Sequence, residues 1–410
     1  MSRIGRLLET LAPIGRNEQG GYDRLAWTDA DAGMRRWFLA EAASLGLETE
    51  VDRNGNLWAH WRRQPGGGLV VGSHLDSVPN GGALDGPLGV ASAFAAIRSL
   101  KEAGETPASN VAVVAFVDEE GGRFGIACLG SRLMTGALDP DRARALTDRE
   151  GVRLDDAMRA AGLDPDGLGP DPVRVASITA AVELHVEQGH LPIDGSDAAG
   201  LTAADAPLGV LTGIWPHGRW RIDVVGQADH AGTTPMADRD DPVVGAAAVV
   251  LAAREAAILE GALATVGRVE VEPGAVNAIA ARASLWLDVR GADEGRIRRV
   301  VDRIAAAAGV DPVQESWTAS MRFARSETRR IAAAVREVTG SEAPALPSGA
   351  GHDAGVLQAA GVAAAMLAVR NPTGVSHAPG ESADLADIEV GVAVLARLLA
   401  GFPASGTATA

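Results

Sequence analysis

Apolar residues recur at helical spacing near the start of the chain, first Ile4, Leu7, Leu8 and Leu11, then Met34, Trp37, Phe38 and Ala42. Two amphipathic helices are predicted there, because positions three and four apart share one helix face. Four short apolar runs follow, at 57–61, 69–73, 111–117 and 180–185, each bounded by Gly, Pro or Asn. Runs of that length between turn residues predict buried strands, and 87–104 between two of them reads as a helix. Alternating strands and helices stack as α/β layers, so the main domain is expected to have a largely parallel central sheet flanked by helices. Segment 139–175 is polar with Ala-rich stretches and the cluster Asp164-Pro-Asp-Gly-Leu-Gly-Pro-Asp-Pro, and it reads as a helical insert on the surface.

The pattern changes after Pro207. Residues 219–225 alternate as a strand, 242–255 form a helix, 265–271 and 282–290 strands, 294–307 a helix and 313–317 a last strand. Strand, helix, two strands, helix, strand is the ferredoxin-like α+β order, which closes on itself as one unit. A β/α pattern resumes from Arg325. The expected organisation is a discontinuous main domain, 1–208 and 323–410, interrupted by an inserted domain, 209–322. The tail 404–410 reads as disordered, and no internal repeat is visible.

A length of 410 residues suits two domains at roughly 100–200 residues each. Basic side chains number 37 against 53 acidic, a net charge of −16. That balance argues against nucleic acid or an anionic membrane surface as partner, since both need a basic face to displace counterions. The single cysteine, Cys128, excludes an internal disulfide and a Cys-based zinc cluster and points to a reducing compartment. The longest apolar run, 243–253, is shorter than the ~20 residues a bilayer needs. The N-terminus shows no apolar leader core. A soluble, cytoplasmic protein is expected.

Six of the eight histidines fall in Gly- or carboxylate-rich loops at predicted strand ends: His74, His185, His217, His230, His352 and His377. His60 and His190 have no such setting and are assigned to the surface. His74 closes the strand 69–73 and would emerge at the carboxyl end of the sheet, where open α/β sheets place ligands. Asp76, two residues on in extended chain, faces the same way and is a candidate to hold the His74 ring by its second nitrogen. Asp85 sits in a Gly-rich loop that lets a carboxylate approach closely. The strand 111–117 runs into Asp118-Glu119-Glu120, and His185 and His377 complete the set. Histidines and carboxylates without thiolate are oxygen and nitrogen ligands for Zn²⁺, Mn²⁺ or Co²⁺, and they are numerous enough for two ions. Adjacent carboxylates such as Glu119 and Glu120 repel unless a cation neutralises one, which leaves the other to accept a proton from water.

These motifs resemble the N-carbamoyl-L-amino-acid hydrolase / allantoate amidohydrolase family, among the co-catalytic metallohydrolases related to aminoacylases and carboxypeptidases. The likeness rests on Gly72-Ser-His-Leu-Asp-Ser-Val-Pro, Asp118-Glu-Glu-Gly, Glu183-Leu-His-Val-Glu-Gln-Gly, Asp229-His-Ala-Gly-Thr-Thr-Pro-Met and Ser348-Gly-Ala-Gly-His-Asp-Ala, and covers about residue 10 to about 400. It implies that His74, Asp85 and His185 hold one metal and Asp85, Glu120 and His377 the other. Asp85 is then the bridge and Glu119 the general base. It further implies a catalytic domain with a ferredoxin-like lid through which two subunits form a homodimer.

By the same resemblance, His230 steadies the oxyanion of the tetrahedral intermediate. Arg290 ends an apolar strand, where a bidentate guanidinium suits a substrate carboxylate, and Asn277 is a candidate for a hydrogen bond to that group. Gln188 and His217 are candidate substrate contacts, and His352 stands either behind the metal ligands or on the substrate side. The implied reaction is hydrolysis of the ureido C–N bond of a small anionic ureido acid, releasing ammonia and carbon dioxide. Trp215, His217 and Arg219 incline the reading towards allantoate over an N-carbamoyl-L-amino acid. An aminoacylase or dipeptidase with the same metals is a more distant reading. A non-catalytic binding protein on this fold would require a lost ligand or base.

Overall fold

The computed structural model describes residues 2–64 and 66–403, so the tail 404–410 lies outside the described residues. The chain divides into two compact units, Ile214–Met321 and the remainder.

The larger unit is built on a nine-stranded sheet. Its strands run in the order Glu48–Val51, Leu57–Arg62, Asn110–Phe116, Gly68–His74, Ile178–Val186, Ala363–Val369, Leu208–Ile214 and Met321–Arg322, with Ala345–Ser348 also paired to Leu208–Ile214. Gly68–His74 pairs in parallel with both neighbours, and Ile178–Val186 pairs in parallel with Ala363–Val369. The flanks are antiparallel. The sheet is therefore mixed, where the sequence pattern indicated a largely parallel one. The physical reason on one flank is a tight turn between Glu48–Val51 and Leu57–Arg62, too short for a parallel crossover. Buried Asp52 closes that turn by accepting the backbone N–H groups of Asn54 and Asn56, both at 2.9 Å, and the Trp58 indole N–H at 3.0 Å.

The boundary expected at 209 is also corrected. Leu208–Ile214 pairs antiparallel with Ala363–Val369, Leu208 opposite Val369 and Leu211 opposite Met366. Its apolar run needs a sheet covered on both faces, which the larger unit supplies. The second unit accordingly begins at Ile214 and ends at Met321.

Helices cover the sheet. Pro87–Glu102 is buried along most of its length and packs on Gly68–His74 and on Leu385–Gly401. The segment 139–175 is more than a surface insert. Ala143, Leu154, Ala157, Met158 and Leu168 bury against Trp27, Phe124, Leu129 and Leu133 as a satellite core. His60 likewise is half-buried, its ring parallel to that of Trp58 at 6.3 Å.

In Ile214–Met321 the elements follow as strand His217–Val225, helix Pro242–Glu260, strands Leu263–Glu272 and Arg282–Arg290, helix Glu294–Ala308 and strand Val313–Thr318. The sheet order is Val313–Thr318, His217–Val225, Arg282–Arg290, Leu263–Glu272, with every pairing antiparallel. Ile222, Leu285, Leu287 and Val289 point to the helices and meet Ala246, Val249, Ala253, Ile297, Val300 and Ile304. The apolar run at 243–253 belongs to a longer helix of 19 residues, long and apolar enough by length and composition to cross a membrane. One face of that helix lies in the unit's core. On the other, Val244, Leu251, Ile258 and Leu259 are 63–68% exposed.

Candidate active site

Three adjacent parallel strands deliver the side chains. Gly68–His74 ends on His74, Asn110–Phe116 leads into Asp118-Glu119-Glu120, and Ile178–Val186 carries His185 near its end. Asp85 occupies the loop before helix Pro87–Glu102, and His377 a left-handed position, φ 57°, in the loop after Ala363–Val369. His74, Asp85 and His185 are at most 3% exposed. Their ligand atoms converge within 4.8 Å of one another, as do those of Asp85, Glu120 and His377.

The two oxygens of Asp85 are divided between these groups. Oδ1 lies 3.0 Å from His185 Nε2 and 3.5 Å from His74 Nε2, while Oδ2 lies 3.5 Å from His377 Nε2. Glu120 Oε2 stands 3.2 Å from the same His377 nitrogen. Glu119 Oε2 faces His74 Nε2 at 3.7 Å.

The donor set fits divalent cations. His74 Nε2 is buried without a hydrogen-bond partner among the described residues, a condition rare for a buried polar atom that a cation would relieve. Its Nδ1 is backed by the Asp76 carbonyl oxygen at 3.2 Å and by Asp76 Oδ1 at 3.4 Å. His185 Nδ1 donates to the Val186 carbonyl at 2.8 Å, which leaves Nε2 as its ligand atom. Burial opposes ionisation of Asp85, but the His185 and His74 rings outweigh it and hold its pKa well below the usual range. Burial, with Asp353 and Glu120 nearby, pushes Glu119 well up against the pull of His74. A bound metal charge would counter that upward push on Glu119.

Local structure explains the placement. Asp76 accepts the backbone N–H groups of Glu119 at 3.1 Å and Glu120 at 3.0 Å, so one carboxylate orients both the His74 ring and the acidic pair. Gly86, at φ +85°, lies against the His74 ring, where a Cβ would come within 2.4 Å of it.

A third convergence, Glu183 with His185 and His352, is less suited to a cation. His185 Nδ1 is committed to Val186, and the Glu183 oxygens accept from Ser73 Oγ at 2.7 Å and the Ala354 N–H at 3.1 Å. His352 packs edge-on against His185, ring centroids 4.8 Å apart, with Nε2 2.9 Å from Ser348 Oγ. Burial and the neighbouring His185 hold it neutral, its pKa well below the ordinary value. Gln188 donates to Asp85 Oδ2 at 2.8 Å and to Ser376 Oγ at 3.1 Å.

Sequence reasoning missed three neighbours. Ser376 Oγ donates to Asp85 Oδ2 at 3.0 Å, the Cys128 thiol donates to Glu119 Oε1 at 3.3 Å, and Glu381 binds the backbone of the Asp85 loop. For Ser376 and Glu381 the available signal was proximity to His377. Cys128 carried none.

Four of the sequence-derived residues belong to Ile214–Met321, as two pairs. His230 lies opposite Ala278 in a short ribbon, and the Asn277 carbonyl accepts the N–H of Ala231 at 3.1 Å. The Gly232 N–H donates to His230 Nδ1 at 3.0 Å, so that nitrogen is an acceptor and the neutral ring carries its proton on Nε2. His217 and Arg290 are register partners on adjacent antiparallel strands. Arg290 Nε and Nη2 donate to the two oxygens of Asp288, at 2.7 and 3.2 Å, which fixes the plane of the guanidinium. Burial and then Arg290 lower the pKa of His217.

The model of peptidase family M20/M25/M40 matches residues 70–401. The chain belongs to this family. It is an amidohydrolase, acting on a carbon–nitrogen bond, and enzymes of the family are metal-dependent. It is 35% identical to the N-carbamoyl-L-amino acid amidohydrolase of Geobacillus stearothermophilus, over 96% of each chain. Identity to the allantoate amidohydrolase of Bacillus subtilis is 32%, over 96% of this chain and 95% of that one. Among solved structures, a hydantoinase/carbamoylase family amidase from Burkholderia vietnamiensis superposes with a TM-score of 0.84 at 31% identity, covering 97% of this chain and 96% of that one.

Proposed function

We propose that the protein hydrolyses the ureido C–N bond of a small anionic ureido acid, using two divalent cations, Zn²⁺ or Mn²⁺ with Co²⁺ as a substitute. The observation that carries this reading is the division of the Asp85 oxygens between two ligand groups with Glu119 alongside. His74, Asp85 and His185 would hold one ion, and Asp85, Glu120 and His377 the other. Such ions, when bound, make water more acidic and offset charge developing on the carbonyl oxygen. Glu119 takes the proton of the attacking water and returns it to the departing nitrogen. The His230 Nε2–H donates to the oxyanion. Water adds to the carbamoyl carbon and a C–N bond breaks. The resulting carbamic acid decomposes, so ammonia, carbon dioxide and the free amine are the products.

Allantoate and N-carbamoyl-L-amino acids share the carboxylate, the central carbon and one ureido group. They differ in the third substituent, and His217 with Arg219, beside Trp215, offers polar partners better suited to a second ureido group than to an apolar side chain. Ammonia release from allantoate and N-carbamoyl amino acids, with release of the free amino acid from N-acyl amino acids measured beside it, tests this directly. Allantoate should be turned over fastest. Turnover of the N-acyl substrates alone would replace the reading with an aminoacylase.

Arg290 is the group proposed for the substrate carboxylate, with Asn277 beside it in role. Arg290→Ala should lower kcat/KM by about 2–5 kcal/mol, the loss on truncating one partner of a desolvated charge pair. An esterified substrate should lose much less, and equal losses on both would mean Arg290 only supports its strand.

Pairing of two copies through Ile214–Met321 is part of the proposal, supported by the exposed Val244, Leu251, Ile258 and Leu259 on one helix face. His230 then serves the other copy's site. Glu119→Gln and His230→Ala homodimers should each be nearly inactive. Co-refolding them makes about half the dimers mixed, each with one complete site, so about a quarter of wild-type activity should return. No recovery with mixed dimers present means His230 acts within its own chain.

A further inference from the structure

The loop that carries Asp85 is gripped by a carboxylate to which the reaction above gives no task. Glu381 Oε2 accepts the backbone N–H of Leu84 at 2.7 Å and of Asp85 itself at 3.0 Å. The residue is 8% exposed, and its Oε1 has no hydrogen-bond partner among the described residues. An independent feature matches this grip. A Cβ on Gly82 would lie 2.2 Å from Glu381 Oε2, so the loop is bare where the carboxylate enters. Glu381 also stands four residues after His377, and its own N–H closes a turn onto the Ala378 carbonyl at 3.1 Å. One short loop thus bears both a ligand of the second group and the acceptor that holds the ligand common to both groups.

We propose that Glu381 is a positioning residue for the cation pair. By binding two successive N–H groups it fixes the rotation of the Asp85 backbone, and with it the division of the Asp85 oxygens between the two groups. The inference rests on Asp85 being the shared ligand.

The test uses the full chain, stripped of metal and titrated with Co²⁺ in a chelator-buffered series. Bound cobalt, its visible spectrum and the melting temperature of the metal-free protein are read together. Glu381→Ala should bind at least one ion about 10–100-fold more weakly, the usual cost of removing a group behind a metal ligand. Its cobalt spectrum should change, while the metal-free melting temperature stays near wild type. Glu381→Gln retains an acceptor oxygen and should recover most of the affinity. Gly82→Ala leaves Glu381 in the sequence but displaces its carboxylate, and should weaken binding as Glu381→Ala does, which keeps the test open if Glu381→Ala fails to fold. Wild-type cobalt affinity and spectrum in Glu381→Ala or in Gly82→Ala would overturn the proposal, as would a Glu381→Gln protein no better than Glu381→Ala. If the wild-type chain itself takes up no cobalt, the two-cation reading falls and this inference with it.

Discussion

Glu119→Gln is expected to keep the fold and the cations yet lose about 10²–10⁴ in turnover, the range for removing a general base. Glu119 is 5% exposed, with its backbone N–H held by Asp76 and its Oε1 by the Cys128 thiol. The amide has nearly the same shape and removes a buried charge whose pKa burial already pushes well up, so stability should not fall. Glu120→Gln should behave differently. Glu120 Oε2 lies 3.2 Å from His377 Nε2 within the second ligand group, so its loss should release an ion. Ammonia release and metal content, measured on both variants, separate the roles. If Glu119→Gln sheds metal and Glu120→Gln does not, the two carboxylates have been assigned the wrong way round.

Removal of divalent cations should abolish activity entirely, and Mn²⁺, Zn²⁺ or Co²⁺ should restore it. Asp85→Ala should reproduce the stripped state in one step, because both groups draw a ligand from that carboxylate. His377→Ala touches only the second group and should retain one ion. Stability should follow occupancy. With free metal at 100 times its Kd, each site adds about 2.7 kcal/mol, so the melting temperature should climb with added metal in the wild type. It should not do so in Asp85→Ala. Full activity in metal-free protein would end the mechanism.

Much of this centre was legible from local pattern. Strand ends announce themselves by the step from an apolar run to Gly, Asp or His, and the strand predicted at 282–290 coincides with Arg282–Arg290. The runs at 57–61 and 111–117 lie within a residue of Leu57–Arg62 and Asn110–Phe116. Residue type supplied the rest, since histidines and carboxylates at such ends have few purposes. Leu208–Ile214 was less legible. Nothing in its own residues tells which sheet an apolar strand will join, and it was placed with the inserted segment, although it pairs with a strand more than 150 residues away. The satellite core under 139–175 was hidden for a similar reason, as its apolar partners Trp27, Phe124 and Leu133 come from other stretches of chain.

By itself, then, the sequence determined the ligand candidates, the acidic pair, the order of the main elements in Ile214–Met321 and the family. Periodicity, turn chemistry and motif are properties of neighbours along the chain, and they survive whatever the fold does. Only the tertiary structure decided how the Asp85 oxygens are shared and that Asp76 serves the His74 ring and the Glu119-Glu120 backbone at once. It also decided that His352 braces His185, and that Ser376, Cys128 and Glu381 belong to the site at all. Most of those facts are distances between groups 43 to 297 residues apart in sequence. Such distances are set by the packing of the mixed sheet, which no window of the sequence contains.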